Sequence, residues 1–305
     1  MKKYSLLIFF VAMVLTANVS TIFAQEIYTS QEIISTGWGE ASHEIGLIEG
    51  MEERLPVGPA SFALDDEGSV YILDTVNQRV QKRELKNRKR SRSVYNIPIG
   101  KYGADIVVDS DKNVCVLHST SLGKYDSKGE LLSEHRIPDE VRLISGIDTN
   151  EEGVSIITGE QKSYVLDKGL KSSRNGKRSG VRSKYSQDAY VTQKVGNNKG
   201  VVKNLAADSE FQVVTENPMA AIVFIDTDKF NNIFLSVETF LSGPAINVNR
   251  EIRKYSPEGE LFATVILDMN YHTFPNKDVA VDEDGNIYQM QPLKEGIKVL
   301  KWEVK

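Results

Sequence analysis

The chain holds a single cysteine, Cys115, in 305 residues, so no intramolecular disulfide can form and stability must come from packing. Cys115 lies inside the apolar run Val114 to Leu117 and reads as a small core residue. Histidine is scarce as well. The four histidines, His43, His118, His135 and His272, show no metalloprotease spacing. His118, at the end of an apolar run, reads as a surface residue looking onto a rim. No Gly-x-Ser-x-Gly elbow occurs, and Gly169 to Lys177 is wrongly spaced for a phosphate loop, with Arg178 where Ser or Thr is required. No complete catalytic constellation is left. Positive charge is also short, with 37 Lys and Arg against 42 Asp and Glu, which argues against nucleic acid as a partner.

What is present begins with an address. Met1-Lys2-Lys3, the apolar run Leu6 to Leu15 and the small-residue end at Ala24 have the layout of a secretory signal peptide cleaved after residue 24. Removing it deletes two lysines and no acids, leaving 35 basic against 42 acidic side chains, a formal charge of −7. No Cys follows the run to carry a lipid, and no transmembrane segment follows it. The expectation is an exported protein, periplasmic or secreted, with residues 25–305 forming one all-β domain.

The body of the chain is a degraded repeat. Five copies align on an Asp at the end of a short apolar run: FALDDEGSVYIL (62–73), IVVDSDKNVCVL (106–117), SGIDTNEEGVSII (145–157), VFIDTDKFNNIFL (223–235) and VAVDEDGNIYQM (279–290). The anchors Asp65, Asp109, Asp148, Asp226 and Asp282 are separated by 44, 39, 78 and 56 residues, and 78 is twice 39. One further copy is therefore expected near Gln187 to Tyr190, built from Ala189–Val195, Gly200–Leu205 and Glu210–Thr215. A period of about 40 to 50 residues with several short strands per unit predicts a six-bladed β-propeller. Inner strands such as Ile106-Val107-Val108 are apolar at consecutive positions, as a strand covered on both faces must be. The last copy supplies only three strands, so the N-terminal strand Glu32–Thr36 is expected to close the ring. The segment Glu238–Asn249 is expected to be a long loop in the fifth blade.

The first copy resembles an NHL repeat through Pro59, Asp65, Gly68, Val70-Tyr71-Ile72, Asp74, Asn77, Arg79 and Val80, and the last retains Asp282, Gly285, Asn286, Ile287 and Tyr288. The resemblance implies a propeller that serves as an interaction module or, more distantly, a metal-dependent lactonase-like or lyase-like enzyme.

Site candidates come from position in the repeat. The Asp-rich turns lack the remaining ligands of a calcium loop and read as turn chemistry, and Asp74 with Arg79 reads as a brace between strands. Asp105 and Asp278, four positions before their anchors, are expected at one rim of the central channel. There they are candidates for a Ca²⁺ site, with His272 or Glu238 joining, or for acceptors of N–H groups from the neighbouring blade. Arg54, Tyr102, Arg142, Tyr271 and His272, in segments that lead into inner strands, and Glu238, in the expected loop of the fifth blade, are the candidate binding rim for a protein, small-molecule or saccharide ligand. Two basic runs, Lys82 to Arg92 and Lys168 to Lys184, read as guards of exposed strand edges or as an anion-binding surface.

Overall fold

Short apolar runs separated by Asp-Gly or Asp-Asn turns give hairpin after hairpin, because each turn returns the chain antiparallel beside the strand it left. The computed structural model describes residues 25–86, 90–243 and 247–305. The stretch read as a signal peptide, and Arg88 and Lys89 of the first basic run, lie outside them. The described residues form six four-stranded antiparallel sheets and no α-helix. Among them no helix is long and apolar enough to cross a membrane.

Blade 1 comprises β2 (Ser61–Leu64), β3 (Val70–Asp74), β4 (Arg79–Lys86) and β5 (Arg90–Pro98). Blade 2 comprises β6 (Asp105–Val108), β7 (Val114–Leu117), β8 (Ser121–Tyr125) and β9 (Leu131–Arg136). Blade 3 comprises β10 (Ile144–Asn150), β11 (Gly153–Thr158), β12 (Lys162–Asp167) and β13 (Ser172–Ser179). Blade 4 comprises β14 (Val181–Arg182), β15 (Ala189–Lys194), β16 (Lys199–Asn204) and β17 (Ser209–Val214), close to the three pieces expected from sequence. Blade 5 comprises β18 (Met219–Thr227), β19 (Ile233–Leu241), β20 (Asn247–Tyr255) and β21 (Leu261–Ile266). Blade 6 takes β22 (Val279–Val281), β23 (Ile287–Leu293) and β24 (Gly296–Val304) from the C-terminal end and β1 (Tyr28–Thr36) from the N-terminal end.

β1 pairs with β24 from Tyr28↔Val304 to Thr36↔Ile297, so the ring closes as expected. The chain that follows is then clasped onto blade 1. Asn77 donates to Gly39 O at 3.0 Å, Arg79 to Ala41 O and Glu44 O at 2.9 and 2.8 Å, and Gln81 to Ser42 O at 3.0 Å. Buried Asp74 holds this clasp, accepting from Arg79 Nε at 2.9 Å, Asn77 Nδ2 at 2.8 Å and the Gly46 N–H at 3.0 Å. The brace between Asp74 and Arg79 thus also fastens the two ends of the ring.

Two features differ from the sequence reading. The segment Glu238–Asn249 is mostly strand, because β19 and β20 stay paired through Leu241↔Asn247; residues 244–246 lie outside the described ones. The turn position is also displaced in two copies. In the well-preserved units the second strand starts five residues after the anchor, and Oδ1 of that Asp accepts N–H groups two and four residues on. Asp65 does so from Glu67 and Ser69, Asp109 from Asp111 and Asn113, and Asp282 from Asp284 and Asn286. In blade 5 the residue doing this is Asp228, and in blade 3 the turn acceptor is Asn150. Asp148 and Asp226 stand two residues earlier, inside β10 and β18. The other oxygen of the turn carboxylates goes to protein groups, Tyr71 OH at 3.2 Å in blade 1 and Lys124 Nζ at 2.6 Å in blade 2.

Buried apolar clusters fill the seams between blades 6 and 1, 1 and 2, 2 and 3, 4 and 5, and 5 and 6. Among the described residues no such cluster joins blade 3 to blade 4.

Candidate functional site

Each inner strand runs from one face of the ring to the other, so all six begin on the same face. The linkers between blades and the turns between second and third strands lie on that face too. Around the channel the inner strands adjoin in turn, β18 to β22, β22 to β2, β2 to β6 and β6 to β10. Blade 4 breaks the sequence. Its inner strand β14 has two residues, pairing only as Val181↔Tyr190 and Arg182↔Ala189, and it is β15, the second strand, that adjoins β18.

The missing part of β14 is replaced by a side chain. Gln161, in a left-handed turn of blade 3 (φ 55°), accepts the Thr192 N–H through Oε1 at 2.8 Å and donates through Nε2 to Thr192 O at 2.6 Å. A carboxamide has the donor and acceptor of a peptide group, so it satisfies the edge of β15 without any strand occupying the channel wall. The wall is thinner there.

The result is a cavity of about 600 Å³ along the axis, with lining from five inner strands and from blade 4. The exposed residues Ser145, Gly159 and Asn276 line it on the face where the strands begin, and the mouth opens there. At the other end the chain after β14 folds beneath it. Lys184 crosses to blade 1, 2.9 Å from Asp66 Oδ1, and Tyr185 OH donates to Val281 O of blade 6 at 3.5 Å. These two side chains floor the cavity.

Asp148 and Asp226 project from β10 and β18, the strands that flank the shortened blade, and both line the cavity. Asp226 Oδ1 accepts from Ser183 Oγ at 2.9 Å and from the N–H groups of Lys184 and Thr227 at 3.0 and 2.8 Å. Among the described residues Asp148 accepts only from the N–H of its neighbour Thr149, at 2.8 Å. Burial, and then the charge of Asp226, push the Asp148 carboxyl up to about 8, against the pull of Lys277 and Lys184. Burial pushes Asp226 up to about 6, held back by its hydrogen bonds. Two neighbouring carboxyls with unequal donor sets therefore titrate apart.

Asp105 and Asp278 sit at the starts of their inner strands on the mouth face, in separate networks. Asp105 Oδ2 accepts the Ile147 N–H of blade 3 at 2.8 Å, while Oδ1 accepts from Ser61 Oγ at 2.6 Å and lies 2.9 Å from Lys277 Nζ. Gly146 permits this approach, since a Cβ there would meet Asp105 Oδ2 at 2.7 Å. Asp278 is held by Arg250 at 2.8 Å and by the Tyr271 hydroxyl at 2.6 Å, and Glu238 lies 3.8 Å from the same Arg250. Burial, and then the neighbouring Asp278 carboxylate, raise the Tyr271 hydroxyl well above its ordinary range. Among the described residues no three His, Cys, Asp or Glu side chains come together as a metal cluster. The Ca²⁺ candidates Asp105 and Asp278 have the protein cations Lys277 and Arg250 as partners.

The remaining rim candidates also lie on the mouth face. Arg54, Tyr102 and Arg142 are exposed there, and His272 faces Glu49 at 3.4 Å. His118 departs from its surface reading. It is buried, with Nδ1 2.9 Å from Tyr102 O and Nε2 3.0 Å from Tyr125 OH, and burial lowers its pKa. Both ring nitrogens have partners, so the ring ties an inter-blade linker to β8.

Sequence reasoning missed the role of Asp148, Asp226, Lys184, Tyr185 and Gln161. A signal existed for the first two: Asp-Thr-Asn and Asp-Thr-Asp each offer two turn residues, and counting five back from Ile233 selects Asp228.

No known family's sequence profile matches the chain, and no curated protein sequence matches it. Solved structures with a similar fold include a streptogramin B lyase (TM-score 0.46, 11% identity, covering 91% of this chain and 98% of that one). The virginiamycin B lyase of Staphylococcus aureus is similar as well (TM-score 0.47, 12% identity, 92% and 100%). BamB of Moraxella catarrhalis is a third (TM-score 0.41, 10% identity, 91% and 99%). The likeness is one of fold.

Proposed function

We propose that the protein is an exported, periplasmic or secreted, non-enzymatic binding propeller of NHL type that takes a small ligand in its central channel. The observation that carries this reading is the cavity of about 600 Å³, floored by Lys184 and Tyr185 and open on the rim face. Ligand sites are concave, part apolar and furnished with a few convergent polar groups, and this cavity has that character. The export reading rests on the N-terminal sequence pattern.

A second reading, a propeller hydrolase or lyase, is favoured by one feature, the pair of carboxyls in the cavity with separated titrations. One protonated and one ionised acid are the parts of acid–base chemistry.

Gly159 offers a clean test of the channel. A Cβ there meets nothing nearer than Leu143 O at 3.6 Å, so Gly159→Trp introduces a bulky ring at the mouth from a position with room for a side chain. Thermal-shift screening should give ligands that stabilise the wild type and lose their effect in Gly159→Trp. Ligands that bind the variant equally well would move the site off the channel. Turnover of a lactone or ester panel that disappears in Asp148→Asn would favour the enzyme.

A further inference from the structure

The charges lining the cavity are unevenly partnered. Lys277 is engaged by Asp105 Oδ1 at 2.9 Å and by Ile106 O at 3.0 Å. Arg250 is engaged by Asp278 at 2.8 Å, and Lys184 by Asp66 at 2.9 Å. Each of these cations pairs with a carboxylate other than Asp148 and Asp226. Asp148 receives one hydrogen bond, from its own neighbour, and the three donors to Asp226 all converge on Oδ1. Among the described residues no protein donor reaches Oδ2 of either one. Asp226 is nevertheless only 8% exposed. Holding two interacting carboxylates in one cavity is costly unless a positive charge joins them.

Part of the cavity lining is apolar. Val107, Ile225 and Ala280 line the cavity, and Val223, in the middle of β18, is 55% exposed beside the gap left by β14. A mid-strand valine so exposed in a channel is surface available to an apolar group.

We propose that Asp148 and Asp226 together bind the ammonium group of a small organic amine, whose carbon body lies against Val223 and the apolar wall. The proposal rests on the reading of the channel as the ligand pocket. An ammonium brings one positive charge and three N–H donors to two carboxylates that lack donors. A divalent metal fits less well, since Ca²⁺ takes six to eight oxygen ligands and, among the described residues, no third acidic or histidine side chain joins the pair. The raised titrations agree: burial pushes both carboxyls above their ordinary range, and a bound cation relieves it. Lys277 at the mouth and Lys184 at the floor bracket the pair, so a long polycation would meet like charge at both ends. Compact monoamines are favoured.

The test is calorimetric titration of the purified protein with n-butylamine, cyclohexylamine and glucosamine, each against its hydroxyl counterpart n-butanol, cyclohexanol and glucose, and with CaCl₂ alone. At least one amine is expected to bind at least tenfold more tightly than its hydroxyl counterpart. Asp148→Asn is expected to weaken that amine by about tenfold or more, the scale of one charge-assisted hydrogen bond, with an unliganded melting temperature at or above that of wild type. Asp226→Asn should do the same. If it unfolds because Asp226 holds the turn at Ser183, Asp148→Asn decides the matter alone. Equal binding of hydroxyl counterparts, an unaffected Asp148→Asn, or binding of calcium without amine would each overturn the proposal. A neutral ligand that binds and is lost in Gly159→Trp would end the amine assignment and keep the channel reading, whereas silence from every probe would count against both.

Discussion

Blades 1 and 4 are the extremes of the repeat, and their difference explains where a site can form. In blade 1 the turn Asp, the full inner strand and the Asp74–Arg79 pair are all present, and these polar groups are spent on fastening. Asp65 makes a turn, Asp74 organises a clasp, and apolar clusters seal both neighbouring seams. In blade 4 the inner strand is two residues long, a side chain stands in for the rest, and the seam toward blade 3 carries no apolar cluster among the described residues. Space withdrawn from the wall there becomes cavity, and the strands on either side contribute acids to it. Fidelity to the repeat builds the ring, and departure from it builds the pocket.

The strongest way to break the contrast is at blade 1. Asp74→Ala leaves the Arg79 guanidinium, the Asn77 amide and the Gly46 N–H without their shared acceptor in a buried site. Removing one partner of a buried ion pair costs about 3–5 kcal/mol. The midpoint of denaturant unfolding should fall accordingly. A loss under about 1 kcal/mol, the range of an exposed pair, would show that the clasp does not hold the ring.

At blade 4 the corresponding fastener is neutral, and its loss should be smaller. Gln161→Ala leaves the N–H and C=O of Thr192 without their partner, at about 1–3 kcal/mol. Hydrogen exchange should report the opening locally, with faster exchange at Thr192 and little change in blade 1. Uniform acceleration around the ring would mean that the two blades are not independent.

The same contrast governs what could be read from the sequence. Blade 1 was legible because its apolar runs, its Asp-Gly turn and its Asp-x-x-Asn-x-Arg each follow from local backbone chemistry. Closure by the N-terminal strand was legible from counting strands. The pocket was not, because it depends on residues far apart in sequence. Gln161 acts as a peptide only beside Thr192, and Lys184 floors the channel only because Asp66 lies across the ring. Asp148 and Asp226 were hidden differently, each two residues from a true turn residue that shares its chemistry. Symmetry puts Asp105 and Asp278 at one rim, but their partners Lys277 and Arg250 come from segments that position in the repeat does not connect to them.

The subtlest difference between the regions is in how stability depends on pH. Asp148 is pushed up to about 8 by burial and by Asp226, and an unfolded chain returns it to the ordinary carboxyl range near 4. Between those values the folded protein holds a proton that the unfolded chain has released. Its contribution is therefore fully present below about pH 4 and is lost as pH rises through about 8. Asp226 adds a change of the same sign ending near 6, and the charged groups facing the pair are Lys277 and Lys184, with Glu238, Arg250, Asp105 and Asp278 elsewhere on the lining. An amide at position 148 cannot ionise, so Asp148→Asn should match wild type most closely near pH 5 and exceed it increasingly toward pH 8.5. Each kcal/mol of relief corresponds to roughly 2–4 °C in melting temperature. A difference between the two proteins that stays constant from pH 5 to 8.5 would mean that Asp148 titrates as an ordinary surface acid, and the gap left by blade 4 would then hold no strained pair of carboxyls.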